Sequence, residues 1–371
     1  MGDDGKPGGR IDGLEVAAFT VPADAPEADG TLAWDATTIV VVEAHCDGVT
    51  GTGWTYAPAE AGAAVTGLLA DLVVGRAAMD VAGANEAMVR AVRNAGRQGL
   101  LGCAVSAVDI ALWDLKARLL GLPLVRLIGA VVEDVPVYGS GGFTTYHDTH
   151  MAMQLDTWVR GHGIGRVKIK IGESWGREVH RDLERVRHAR ETIGPETALY
   201  VDANGAYSRK QAVRVGGALA ELGVAWFEEP VSSDDLEGLA VVRDQCRCDV
   251  AAGEYGYDPA YFGRLARVVD CLQADATRCG GLTGWLRAAA VAQAHGLEIS
   301  GHCAPHAHAH AAACVPNLRH LEWFHDHVRI ESTLFSGALD PTGGTIRPGA
   351  DGAPGHGMTF RRAEASPYRV L

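Results

Sequence analysis

The chain has 371 residues, 47% hydrophobic and 21% charged. That is enough for two or three cores, or a barrel with an attachment, and it excludes a disordered, collagen-like or coiled-coil chain. Lys and Arg number 33 against 46 Asp and Glu, a net charge of −13, which repels phosphate backbones and anionic bilayers and argues against nucleic acid or a membrane as partner. No run of 18 apolar residues marks a membrane span, and eight cysteines without an apolar leader read as reduced thiols, so a cytoplasmic location is expected.

In chain order, Met1 to Arg10 is Gly- and Asp-rich and is expected to be a disordered tail. Strand-like stretches follow at Ile11–Val21, Thr37–His45 and Gly48–Tyr56. After Pro58 the pattern turns helical: Leu101, Val105, Val108, Leu112, Leu115 and Leu119 put one apolar stripe on a helix that Gly121 and Pro123 stop. Sheet followed by helices predicts an α+β domain over 11–130. From Val135 onward, short apolar runs alternate with helix-length amphipathic segments. The runs are Val135–Tyr138, Val167–Ile171, Leu199–Asp202, Val224–Glu228, Val250–Glu254, Cys271–Asp275, Leu297–Ser300 and Leu321–Phe324. Eight parallel-type strands predict a barrel over 131–325, with reactive groups at the C-terminal strand ends. The Gly/Pro-rich stretch 337–357 is too loose for a full final helix, and 326–371 is expected to return to the N-terminal domain.

Ionisable residues recur where the apolar runs end: Lys168 and Lys170, Asp202 with Asn204, Glu228, Glu254, Asp275, His302 and Glu322, with successive strand ends from Asp202 onward 20 to 27 residues apart, about one βα unit. Any one of them reads as a helix cap or a solvated turn residue; together they read as a site. Asp202, Glu228 and Glu254 come from adjacent strands, and three carboxylates in one volume need a cation. All-oxygen ligands favour a hard ion, Mg²⁺, for which Mn²⁺ can substitute. Lys168 and Lys170 share one strand face, where each ammonium is expected to lower the other's pKa and prepare a base. Asp275 and His302 end neighbouring strands, so the carboxylate can fix the imidazole tautomer. Bases on both sides of a cation suit removal of a proton α to a carboxylate, and a protonated Glu322 would donate to the second developing oxyanion.

As an ordered set, Lys-Ile-Lys at 168–170, Val-Asp-Ala-Asn at 201–204, Phe-Glu-Glu-Pro at 227–230, Ala-Gly-Glu at 252–254, Gln-Ala-Asp at 273–275 with Gly-Gly-Leu-Thr-Gly-Trp at 280–285, Ser-Gly-His at 300–302 and Leu-Glu-Trp at 321–323 resemble the enolase superfamily, mandelate racemase subgroup, over nearly the whole chain. The resemblance implies an α/β fold, a modified (β/α)7β TIM-type barrel under an N-terminal α+β capping domain. It also implies Mg²⁺ on Asp202, Glu228 and Glu254, with Lys170 as one base and the His302–Asp275 dyad as the other. Lys168 would touch the substrate carboxylate, Asn204 would support the metal-bound substrate and Glu322 would be the electrophilic donor. The implied assembly is a homo-oligomer, a dimer or an octamer, acting on a small-molecule carboxylate.

The segment Thr20 to Trp34, with Asp24, Glu27 and Asp29, is the expected specificity loop, and Thr144 to His150 is a second polar wall. Polar walls favour dehydration of a sugar acid, aldonic or aldaric, to a 2-keto-3-deoxy acid over a racemase or epimerase of the mandelate kind, or a cycloisomerase on an α-hydroxy acid or lactone. A reading of another class is a non-catalytic metal-binding homologue, against which both Lys170 and the His302–Asp275 dyad argue. The run of His302, His306, His308 and His310 also matches a transition-metal site, though the carboxylate trio already supplies one. Cys246 and Cys248 lack a second pair, and Arg278 reads as an anion contact or, more simply, a surface salt bridge.

Overall fold

The computed structural model describes residues 9–371. Most of the expected tail therefore lies outside the described residues. Its last two, Gly9 and Arg10, are anchored, with the Ala78 N–H donating to the Gly9 carbonyl at 3.0 Å and Arg10 bridging to Ala77.

Three antiparallel strands open the chain, β1 (Gly13–Ala28), β2 (Ala33–Cys46) and β3 (Val49–Tyr56), with β2 in the centre. Alternation along β2 sends Val40, Val42, Ala44 and Cys46 into the domain's own core and Ile39 and Val41 into the core shared with the barrel, so both faces of the sheet are covered. The helix Leu100–Leu119 lies directly on β3. Gly51 and Gly53 permit that approach: a Cβ at Gly53 would sit 2.3 Å from the Ala107 carbonyl oxygen, and one at Gly51 would sit 2.2 Å from the Leu115 nitrogen. The predicted stripe faces this core, but positions 102–112 are buried all round, because the opposite face packs on the barrel helix Gly281–Ala294. Asp109 accepts from the Thr283 N–H at 3.0 Å and the Thr283 hydroxyl at 2.7 Å across that contact.

Eight parallel strands follow: β4 (Val135–Gly141), β5 (Arg166–Lys170), β6 (Ala198–Asp202), β7 (Val224–Glu228), β8 (Asp249–Ala252), β9 (Cys271–Ala274), β10 (Glu298–Gly301) and β11 (Leu318–Phe324). Each pairs with the next, and β11 pairs back to β4, closing the barrel. The period-2 pleat sorts side chains by chemistry. Val167, Ile169, Leu199, Val201 and Ile299 face the helices, while Tyr138, Tyr200, Trp226 and Cys271 fill the floor of the barrel. One pleat above that floor, the same inward faces carry the charged groups.

A helix, His325–Leu334, does follow β11, ten residues where the sequence suggested the alternation had lapsed. Its buried Ile330 and Leu334 complete the outer ring. Downstream, Thr345–Ile346 adds antiparallel to β4, the Leu124 N–H donates to the Gly355 carbonyl at 2.7 Å, and the Val370 N–H donates to the Ala18 carbonyl at 2.8 Å. Among the described residues, no helix is long and apolar enough to cross a membrane. The eight cysteines are unpaired.

Candidate active site

Three strand ends break into left-handed backbone at residues other than glycine: Asn204 after β6, Glu229 after β7, and Cys303 and Ala304 after β10 have φ of 46°, 37°, 49° and 37°. Such conformations persist only where surrounding contacts over-determine them, and here they ring the barrel mouth. Asp202, Glu228 and Glu254 each offer an oxygen within 4.8 Å of the others, all three residues buried. The Asn204 N–H holds Asp202 Oδ1 at 2.9 Å, the Trp226 indole holds Glu228 Oε2 at 2.8 Å, and Gln273 Nε2 reaches the same oxygen at 3.2 Å. Glu254 Oε2 and Asn204 Oδ1 are buried without a hydrogen-bond partner. An oxygen-only trio with an orphaned acceptor fits a hard divalent cation.

Lys168 is fully buried. Its Nζ lies 2.5 Å from Glu228 Oε1, 2.7 Å from Glu322 Oε1 and 3.5 Å from Asp202 Oδ2. Lys170 Nζ lies 2.5 Å from Asp202 Oδ2. The sequence reading expected the paired ammoniums to lower each other's pKa. Burial does press in that direction, but the carboxylates around them outweigh it and both lysines titrate above their usual range. Burial pushes Glu228 up to about 8, against the pull of Lys168. Glu322 departs from its expected role: despite burial, Lys168 and His302 hold it far below the usual carboxylate range. All its neighbours are donors, namely the Ser140 hydroxyl at 2.6 Å, Lys168 and the Cys303 N–H at 2.8 Å, so it is an ionised acceptor here rather than a protonated donor.

His302 Nδ1 and Asp275 Oδ2 are 2.9 Å apart. A carboxylate held ionised there assigns a proton to Nδ1 and turns Nε2 toward Glu254 Oε2, at 3.4 Å, and the Cys303 sulfur, at 3.3 Å. Asp275 lies below its normal range despite burial, because His302 and Arg278 favour its charged form. Burial presses His302 down, but Glu254 and Asp275 prevail and raise it. Arg278 is no surface salt bridge. It reaches both Glu254 Oε1 at 3.2 Å and Asp275 Oδ2 at 3.4 Å and stacks over Tyr255.

All nine sequence-predicted site residues therefore converge on one rim. Sequence reasoning missed Ser140, Gln273 and Cys303. The first two were legible as inward positions one pleat above the floor, whereas Cys303 enters through a strained turn. His306, His308 and His310 do not gather on a metal. His306 pairs with Glu331, His308 Nε2 accepts from the Ala276 N–H at 2.7 Å, and His310 Nδ1 accepts from the Val125 N–H at 3.0 Å. The expected specificity loop is largely strand: β1 runs to Ala28 and pairs with β2 across a register shift between Pro22 and Glu27. Its tip lies against the barrel mouth, Gly30 so near the carbonyls of Ile171 and Gly172 that a Cβ would come within 2.7 Å. The Thr144 N–H donates to the Ala28 carbonyl at 2.8 Å, tying the second polar wall to the hairpin.

With this geometry in place, comparison with known proteins is decisive. The model for the mandelate racemase / muconate lactonizing enzyme N-terminal domain matches residues 15–129, and that for the enolase C-terminal domain-like unit matches 150–365. The chain belongs to the enolase superfamily, in its mandelate racemase/muconate lactonizing enzyme branch. A mandelate racemase/muconate lactonizing enzyme-like protein from Rubrobacter xylanophilus superposes with a TM-score of 0.94 at 50% identity, covering 97% of this chain and all of the other. L-talarate/galactarate dehydratase from Salmonella typhimurium is 29% identical over 334 residues, 85% of this chain and 82% of that enzyme. A structure of a lysine-to-alanine mutant of an L-talarate/galactarate dehydratase, liganded with Mg and L-glucarate, gives a TM-score of 0.90 at 27% identity, covering 100% of this chain and 95% of that one. D-galactarolactone cycloisomerase from Agrobacterium fabrum is 33% identical over 285 residues, 75% of this chain and 74% of its own length.

Proposed function

We propose that this enzyme abstracts the proton α to the carboxylate of a sugar acid, aldonic or aldaric, and expels the β-hydroxyl to yield a 2-keto-3-deoxy acid, with Mg²⁺ held by Asp202, Glu228 and Glu254 and with Mn²⁺ able to replace it. One observation carries the reading: the carboxylate trio is flanked by two different bases, Lys170 against Asp202 and His302 against Glu254. When bound, the cation supplies positive charge against the substrate carboxylate, whose negative charge grows as the α proton leaves. Lys170 accepts that proton once Asp202 is engaged elsewhere, because Lys168 beside it then lowers its pKa. Lys168 and Asn204 orient the carboxylate end of the substrate. Across the mouth, Asp275 holds the His302 imidazolium, whose Nε2 proton passes to the departing β-hydroxyl. The C–O bond breaks, water leaves, and the enol tautomerises to the ketone. Glu322 binds Lys168 and positions it, and serves as a donor only in steps in which it gains a proton.

The relatives named above, a galactarate dehydratase and a galactarolactone cycloisomerase, support a polyhydroxy acid substrate. The same reading takes 11–130 as the cap, 131–325 as the barrel and 326–371 as the segment returning to the cap. It takes the protein as cytoplasmic and as a homo-oligomer, a dimer or an octamer. The test is incubation in D₂O with Mg²⁺ and a panel of aldonic, aldaric and α-hydroxy acids, following α-proton exchange by NMR and 2-keto product with a carbonyl reagent. Keto product that disappears in both Lys170→Ala and His302→Asn supports the proposal. Inversion at the α carbon without keto product replaces it with a racemase, lactone ring opening or closure replaces it with a cycloisomerase, and absence of Mg²⁺ binding removes the mechanism.

A further inference from the structure

Just past the C-terminal end of β11, the capping hairpin meets the start of the helix His325–Leu334. Asp24 and Glu27 lie on β1 and His325 is the first residue of that helix, and each offers one ligand-type atom within 4.8 Å of the other two. His325 Nε2 lies 3.0 Å from Asp24 Oδ2 and 3.2 Å from Oδ1. Glu27 is the decisive member. Its residue exposure is 0%, the Trp34 indole donates to Oε2 at 2.7 Å, and Oε1 has no hydrogen-bond partner. A buried carboxylate oxygen left bare is costly unless the group is neutralised or meets a cation. The charges around it are the carboxylates of Asp24 and Asp326 and the guanidinium of Arg329, with the imidazole of His325 within 4.8 Å. Arg329 is committed to Asp326, at 2.5 Å, and Asp326 also accepts from the Thr37 hydroxyl. Asp24 thus pairs with the imidazole, and Glu27 is left beside them with no cation paired to it.

We propose that Asp24, Glu27 and His325 form a second divalent-cation site, separate from the carboxylate trio and selective for a borderline transition ion of the Zn²⁺ or Co²⁺ class. Two carboxylates and one imidazole provide the mixed oxygen and nitrogen donors that such ions take, whereas Mg²⁺ holds to oxygen. Water completes the coordination on the side where Asp24 is 47% exposed. The ion ties the capping hairpin to the segment that follows the last barrel strand. Because the Thr145 hydroxyl donates to the Pro26 carbonyl at 2.6 Å and Gly30 packs on the strand ends, fastening this hairpin holds the wall of the barrel mouth in place.

The experiment uses the full-length protein without an affinity tag, stripped with chelator and dialysed against micromolar Zn²⁺ with millimolar Mg²⁺ present to fill the carboxylate trio. Metal is counted by mass spectrometry, and Co²⁺ is used in parallel for its electronic spectrum. One equivalent of Zn²⁺ per chain is expected, falling to none in Glu27→Gln and in His325→Ala and retained in Glu254→Gln. The Co²⁺ spectrum should lack a thiolate charge-transfer band, which separates this site from His302 and Cys303. Asp24→Asn, at a half-exposed position that leaves the core untouched, guards against loss through misfolding and should weaken binding at least tenfold. No bound equivalent in the parent protein, an equivalent that survives both Glu27→Gln and His325→Ala, or a thiolate band would each overturn the proposal.

Discussion

Lys168→Met tests the electrostatic account of the barrel mouth without relying on any substrate. Methionine keeps the length and apolar stem of lysine and removes only the ammonium, which lies 2.5 Å from Glu228 and 2.7 Å from Glu322 in a fully buried position. The substitution leaves Asp202 paired with Lys170 and takes from Glu228 and Glu322 the one lysine in contact with them. Removing one partner of a buried ion pair strands charge that water no longer solvates, a loss of about 3–5 kcal/mol, so we expect a drop of that size when unfolding is measured by urea titration in EDTA. Added Mg²⁺ stabilises the parent in proportion to RT ln(1 + [Mg²⁺]/Kd), about 2.7 kcal/mol at a hundredfold excess over Kd. In the variant the uncompensated carboxylates should bind the ion at least tenfold more tightly, adding about 1.4 kcal/mol or more to that stabilisation. Equal stability of variant and parent in EDTA, or an equal gain from Mg²⁺, would refute the claim that lysine and cation balance the same carboxylates.

Burial, supplemented by His356, holds His310 neutral with its pKa down to about 4, against 6.5 when unfolded. Its contribution to stability is therefore complete above pH 6.5 and is lost as pH falls through the window toward 4, about 1.4 kcal/mol by pH 5.5. His308, His320, His327 and His356 are lowered by burial too and act in the same sense, so urea midpoints should fall steeply below pH 6.5, and His310→Asn, whose Oδ1 can still accept from the Val125 N–H, should flatten the slope by about one proton. Gly53→Ala drives a methyl into the backbone of the helix Leu100–Leu119 and should cost about 1–3 kcal/mol or more by thermal unfolding; an unchanged Tm would mean that the helix can slide off β3. Glu331 collects the Trp54 indole at 2.9 Å, the Tyr56 hydroxyl at 3.0 Å and His306, joining cap to barrel. Glu331→Leu should cost about 2–4 kcal/mol and raise hydrogen exchange at Trp54 and Tyr56 before it affects the barrel strands.

The barrel was legible because its strands are apolar runs closed by ionisable residues at one-unit spacing, a pattern that needs no tertiary knowledge. The eight expected runs coincide with β4 to β11, and Lys168, Asp202, Glu228 and His302 stand where those runs predicted. What escaped were features set by partners distant in sequence. The helix after β11 carries His325, Asp326 and His327 in its first turn, so its pattern reads as a polar loop until Thr37, Tyr56 and Ala304 supply their partners. The segment Thr20–Trp34 reads as a loop because Pro22, Pro26 and Gly30 interrupt its alternation, yet the register shift before Glu27 absorbs the interruption and the strands resume pairing. The lysine pKa values were misjudged for a related reason. From sequence only the like charge two residues away is visible, while the carboxylates that reverse its effect arrive from β6, β7 and β11.

On the proposed mechanism, one rim supports two opposed tasks. The side chains that gather on the Lys170 side, Asp202, Glu228 and Lys168, exchange charge within hydrogen-bond distance, so the protonation of any one depends on what the others hold. On the His302 side, Asp275 is fixed by Arg278, by the Thr277 N–H and hydroxyl, both at 2.7 Å, and by the imidazole, leaving it no freedom to take up a proton. An adjustable base and a rigid dyad are what the proposed proton removal and delivery require: the first must change its charge when ligands arrive, the second must keep Nδ1 protonated and hold Nε2 in place while that nitrogen gains and loses its proton. In the proposed mechanism the reacting groups thus sit at strand ends, whose pleat fixes their positions, while the hairpin Asp29–Leu32 is held at the barrel mouth by the Trp175 N–H, which donates to the Gly30 carbonyl at 2.9 Å, and by the close packing of Gly30.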